Sequence, residues 1–174
     1  MDYFQGVVTE YLVANKATFV NSELLIQLDA DKLAKGRHWY CDAAAVSFRD
    51  NTVYLCEVTY SKTMAALAKR LLAWDAHWPE LREAILRDCG IPQSWSIQPW
   101  VFIPKQYCDS LKIGISDLSA DSRPDDMMPY PRITYLESVV PWAYKEDRMD
   151  DLIKEILKED VEDVHISNSE IEFE

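Results

Sequence analysis

Two carboxylates, Asp42 and Glu57, stand where they could do chemistry, within the stretch WYCDAAAVSFRDNTVYLCEVTYSK at residues 39–62. Each arm of this stretch is rich in β-branched, aromatic and small apolar residues. Asp50-Asn51 supplies turn chemistry between the arms, which predicts an antiparallel hairpin. A two-residue or four-residue loop centred on that pair puts Asp42 opposite Thr59. Glu57 is then one pleat step away on the partner strand and on the same face, with Cβ atoms about 7 Å apart, the diagonal distance across two strands. An odd-numbered loop would send the two acids to opposite faces. Carboxylates at that spacing can share one hard cation, because Mg²⁺ takes oxygen ligands and needs only one or two from the protein. Such acids are out of place beside the apolar runs from Ala43 to Val46 and from Val53 to Leu55 in a plain core strand. Unpaired buried charge costs several kcal/mol, so they end in solvent or are compensated by a cation.

The elements that must position them are legible on either side. Residues 2–15 read as a helix, with Phe4, Val7, Val8, Tyr11 and Leu12 on one apolar face. Glu10 falls at the margin of that face, as a further acid for the site or as a solvated flank residue. Residues 18–27, TFVNSELLIQ, read as a strand carrying Glu23 on the surface, followed by a polar connection. In the hairpin, alternation puts Ala44, Val46 and Phe48 on one face and Cys41, Ala43 and Ala45 on the other, as expected for a sheet covered on both sides. Ser61 or Thr63 is expected to cap a helix through TMAALAKRLLAWDAHW, and Pro79 starts a second one that ends at Gly90. Trp74 and Trp78, one turn apart, are read as core rather than as a stacking platform. Residues 96–103 form a strand in which Pro99 favours an edge or a bulge. A short helix over 105–113, a loop over 117–131 and a last strand near 132–136 follow.

A chain of 174 residues is long enough for one well-buried domain and short for two. No apolar run approaches the ~20 residues of a membrane span, and the start MDYFQGVVTE has no signal-peptide pattern, so a cytoplasmic protein with no membrane partner is expected. Cys41, Cys56, Cys89 and Cys108 lack zinc or redox spacing and read as free thiols. His38 and His77 have no ligand-spaced companion. The net charge of −12 is uneven: residues 145–174 hold 4 basic and 12 acidic residues. The expected organisation is one domain over 1–144 and an acidic C-terminal helix and tail over 145–174, leaving a body near neutrality that can carry a local basic patch.

The order helix, three strands, helix, strand, with Glu10 on the first helix, Asp42 on the second strand and Glu57 on the third, resembles the core of the PD-(D/E)XK nuclease superfamily over roughly residues 2–104. The resemblance implies an α/β fold, a three-layer αβββαβ sandwich of restriction endonuclease-like type with a mixed sheet flanked by helices. It implies a hydrolase in which Asp42, Glu57 and Glu10 are metal ligands for Mg²⁺ or Mn²⁺ and water attacks a DNA phosphodiester. Cys41 replaces the proline before the aspartate, and Thr59 stands where the family's catalytic lysine belongs. That lysine stabilises transition-state charge, work that needs a cation. Lys69 on the following helix, or Lys62 at the strand end, is expected to supply it, and Lys69 is favoured because Lys62 alternates away from the Glu57 face. The helix from Thr63 would bring Lys69 and Arg70 to phosphate. The alternative is a catalytically inactive member of the fold acting as a protein-binding module. The missing lysine and the acidic tail favour that alternative. The partners expected are DNA, a protein partner or a second copy of the chain.

Overall fold

The structure, a computed structural model, describes residues 3–14, 17–29, 36–118 and 127–141. One compact unit spans Met1–Val140. The acidic helix and tail expected over 145–174, and most of the expected 117–131 loop, lie outside the described residues.

The elements run α1 (Tyr3–Val13), β1 (Thr18–Gln27), β2 (His38–Ser47), β3 (Thr52–Val58), α2 (Ala65–Ala76), α3 (Trp78–Cys89), β4 (Ser96–Ile103), α4 (Cys108–Gly114) and β5 (Arg132–Tyr135). The strands form one mixed sheet in the order β1-β2-β3-β4-β5. The first three make an antiparallel meander, and β4 and β5 add in parallel. Parallel addition needs a crossover, which α2 and α3 supply between β3 and β4.

Both faces of the sheet are covered. On one face Ile26, Cys41, Val53, Leu55 and Val101 pack against Leu71 and Trp74 of α2, Leu81 and Ile85 of α3, and Leu111 of α4. On the other, Ala43, Ala45, Cys56, Trp100 and Phe102 meet Val8 and Leu12 of α1. This is an α/β architecture of helix, mixed sheet and helices. Trp74 and Trp78 are both core, as their helical spacing predicts. Gly114 lets α4 approach α2: a Cβ there would lie 2.9 Å from that of Ala68.

Three local expectations need correction. The hairpin loop is four residues long, but it covers 48–51, because Ser47 pairs with Thr52 and Ala43 with Cys56. Extended by one step, that register brings Asp42 level with Glu57 rather than with Thr59. Cys41 is not on the face of Ala43, since it packs in the opposite layer. The cause lies at Glu23, between the Ser22-Ala43 and Leu24-Cys41 pairs of the β1-β2 ladder. Glu23 has a left-handed φ of 57°. A left-handed residue turns the strand about its axis, so alternation restarts on the other face beyond it.

The N-cap of α2 is Met64, φ 51°, with no side-chain cap bond, in place of Ser61 or Thr63. Met64 is 1% exposed. Burial of its side chain fixes the helix start where a hydroxyl was expected to do so. Pro99 meets the edge expected of it although β4 is an interior strand: β5 begins opposite Trp100, so among the described strands the Ser96–Pro99 half of β4 has only β3 beside it. The proline's missing N–H costs least on that one-sided half.

Candidate functional site

The site lies where β2 and β3 part. Their ladder stops at Ala43 and Cys56, whereas β3 continues against β4 to Val58 and Phe102. The opening is bridged by the Asp42 side chain, whose Oδ2 accepts the backbone N–H of Val58 at 2.7 Å. Its Oδ1 accepts the Gln5 Nε2 amide at 2.8 Å. Asp42 thus fills the place of the missing strand partner and ties α1 to the seam between the strands.

Glu57 is the buried member of the pair, 3% exposed. On the α2 side, Arg70 Nη1 donates to Glu57 Oε2. The other oxygen, Oε1, is buried and has no hydrogen-bond partner among the described residues. Burial pushes the Glu57 carboxyl up to about 8, opposed by Arg70 and assisted by the negative charge of Asp42. Removal from water destabilises the ionised form more than one half-exposed guanidinium restores it. The assistance from Asp42 means that the two acids feel each other, although their partners come from helices on opposite faces of the sheet. Where both carboxylates were expected to point into one groove, Asp42 is held from α1 and Glu57 from α2.

The remaining residues fall differently from their expected places. Glu10 is exposed, and the α1 residue over Asp42 is Gln5. At about 100° per residue Glu10 lies roughly 200° from Val8, whereas Gln5 lies about 60° from it and flanks the buried stripe. Among the described residues no group of three or more His, Cys, Asp or Glu side chains gathers to hold a metal. Lys69 and Lys62 are exposed. Relative to buried Leu71, Lys69 points about 160° away and Arg70 about 100°, so Arg70 is the cation at the edge of the α2 interface. Thr59 is half-buried past the end of β3, with its N–H on Phe102 O at 3.1 Å. Sequence reasoning misses Gln5 and the Arg70-Glu57 contact, yet the helical wheel that places Leu67, Leu71 and Trp74 also carries Arg70, and that of α1 carries Gln5.

Glu57 Oε1 is an orphaned buried carboxylate oxygen, and Asp42 accepts the N–H of the next residue, Val58, so the two acids offer the oxygen donors that a hard cation such as Mg²⁺ takes. They do not fit a caged Ca²⁺ or a four-ligand Zn²⁺ site. The cysteines offer no such ligands: burial raises the thiol pKa of Cys41 and Cys56, which keeps both protonated.

In sequence the chain matches no protein-family model and no curated protein. No helix among the described residues is long and apolar enough to cross a membrane.

Proposed function

We propose that this chain is a nuclease-like domain of PD-(D/E)XK type that hydrolyses DNA phosphodiester bonds with Mg²⁺ or Mn²⁺. The observation that carries the reading is the Oε1 of buried Glu57, without a partner among the described residues, one residue from the Val58 N–H that Asp42 accepts at the parting of β2 and β3. A buried carboxylate oxygen left unsatisfied costs roughly 1–3 kcal/mol or more, and a cation removes that cost. The order of α1, the β1-β2-β3 meander, α2 and parallel β4 supports the restriction endonuclease-like assignment.

In this reading Asp42 and Glu57 hold the ion, which polarises the phosphate and lowers the pKa of a bound water. Arg70 takes the charge-stabilising task that Thr59 cannot perform. Gln5 orients Asp42, and Val58 N–H fixes its second oxygen. Glu10, Lys62 and Lys69 receive no part in the chemistry.

Purified protein should nick or degrade DNA with Mn²⁺ or Mg²⁺ and stop in EDTA. Asp42→Asn and Glu57→Gln should abolish cutting. Arg70→Ala should reduce it about 10²-fold, as loss of a transition-state contact does, with Lys69→Ala near wild type. Cutting that survives Glu57→Gln contradicts the reading.

A second reading, a catalytically inactive fold that binds a protein, is favoured by one observation. Each acid already has a protein partner, Asp42 through Gln5 and Val58 and Glu57 through Arg70. Absence of both metal binding and cleavage would put that reading first.

A further inference from the structure

We propose that Arg70 is a resident substitute for the divalent ion: it occupies Glu57 until a metal displaces it, and the freed guanidinium then takes a phosphate of the substrate. This rests on the metal-site reading above and adds the group that regulates entry to it.

Three observations carry it. First, the pair is lopsided: the Glu57 side chain is 4% exposed and that of Arg70 42%, so the guanidinium stands on the solvent side of the carboxylate. An ion that takes Glu57 must share the carboxylate with Arg70, and two cations crowding one carboxylate repel each other.

Second, the contact is incomplete. A guanidinium fork and a carboxylate built as a permanent pair engage through two parallel bonds. Here Nη1 reaches Oε2 and Oε1 is left without a partner. The contact leaves one carboxylate oxygen, buried from water, without a partner among the described residues.

Third, Arg70 is under-used. A guanidinium has five N–H donors. Its bond to Glu57 is the only one it makes among the described residues. Four donors on a half-exposed stem at the rim of the site are free to receive phosphate oxygens in the planar geometry that arginine suits and lysine does not.

The test uses the whole chain. Mn²⁺ binding, read by electron paramagnetic resonance of the free ion, should tighten about tenfold or more in Arg70→Gln, the size of an ordinary coupling between two competing ligands. Binding of a short DNA duplex in Ca²⁺ should weaken about tenfold in the same variant. Opposite signs for metal and DNA are not expected of an arginine that only supports the fold. Unchanged Mn²⁺ affinity in the folded variant overturns the inference and leaves the metal site standing. Failure of the wild type to bind Mn²⁺ at all removes the metal-site reading itself. Tightened Mn²⁺ binding with unchanged DNA affinity overturns the phosphate role. If Arg70→Gln does not fold, the wild type suffices: the Arg70 Nη–H resonance, whose nitrogen donates to Glu57, should move toward that of a solvated guanidinium as Mg²⁺ is added. A resonance that stays in place at saturating Mg²⁺, with other site resonances moving, overturns displacement.

Discussion

Asp42 accepts the backbone N–H of Val58 at 2.7 Å, across a gap where their strands no longer pair. A side chain has replaced a rung of the ladder, and the same carboxylate holds Gln5 of α1 at 2.8 Å. Whatever chemistry Asp42 performs, it also fastens one helix and two strands together.

That double role sets the cost of changing it. Asp42→Ala strands a main-chain donor and a side-chain amide and should destabilise the protein by about 2–3 kcal/mol, with Gln5→Ala costing about 1 kcal/mol. Asp42→Asn should fall between, because one amide oxygen must serve two donors. Urea denaturation of the three variants checks the order, and an Asp42→Ala loss below ~0.5 kcal/mol would contradict the bridging role.

Glu23 makes a second, backbone-level prediction. At φ 57° it sits in a region that costs an ordinary residue about 1 kcal/mol or more and a β-branched one still more. Glu23→Gly should therefore be more stable than Glu23→Val by roughly 1 kcal/mol or more, the reverse of strand propensity. Thermal unfolding of the two variants decides it, and a more stable valine variant would mean that residue 23 is not held in the left-handed region.

Much of the fold is legible in the sequence. The spans 18–27 and 96–103 coincide with β1 and β4, because their β-branched and aromatic runs are bounded by polar turns. The end of α3 is equally plain, since Gly90 takes the left-handed C-cap at φ 62°. The two acids are legible as a pair, but their geometry is not. Period-two alternation assumes an unbroken strand, and nothing in the letters of Glu23 announces a left-handed residue. The cation is hidden for a different reason. Strand alternation eliminates Lys62 and leaves Lys69 as the lysine nearest to Glu57, whereas the direction of α2 side chains selects Arg70 beside it.

The burial of Glu57 predicts a pH dependence. Its carboxyl is raised to about 8 in the folded protein, against about 4.5 when unfolded. Between those values the folded chain binds more protons, so stability is full below about pH 4.5 and declines as pH rises through 8. The decline in EDTA should amount to a few kcal/mol, on the order of 1.4 kcal/mol for each pH step of one between the two values. Glu57→Gln, which cannot ionise, should flatten this slope. Denaturation in EDTA at about pH 5 and about pH 8 measures it, and parallel slopes for both proteins would contradict the raised value.

The central claim, that Asp42 and Glu57 form a divalent-ion site, is tested most directly by melting wild type and Glu57→Gln at about pH 8 in EDTA and in Mn²⁺. Arg70 is 42% exposed and keeps its water, so losing its partner costs little. In EDTA the glutamine variant should be at least as stable as wild type, because it removes a buried acid held close to Asp42. In Mn²⁺ the order should reverse. An ion that binds only the folded state adds about 2.7 kcal/mol at a hundred times its dissociation constant, and the variant should lose most of that gain. A wild type whose melting temperature is the same in Mn²⁺ and EDTA, beside a variant less stable than it in both, would contradict the claim.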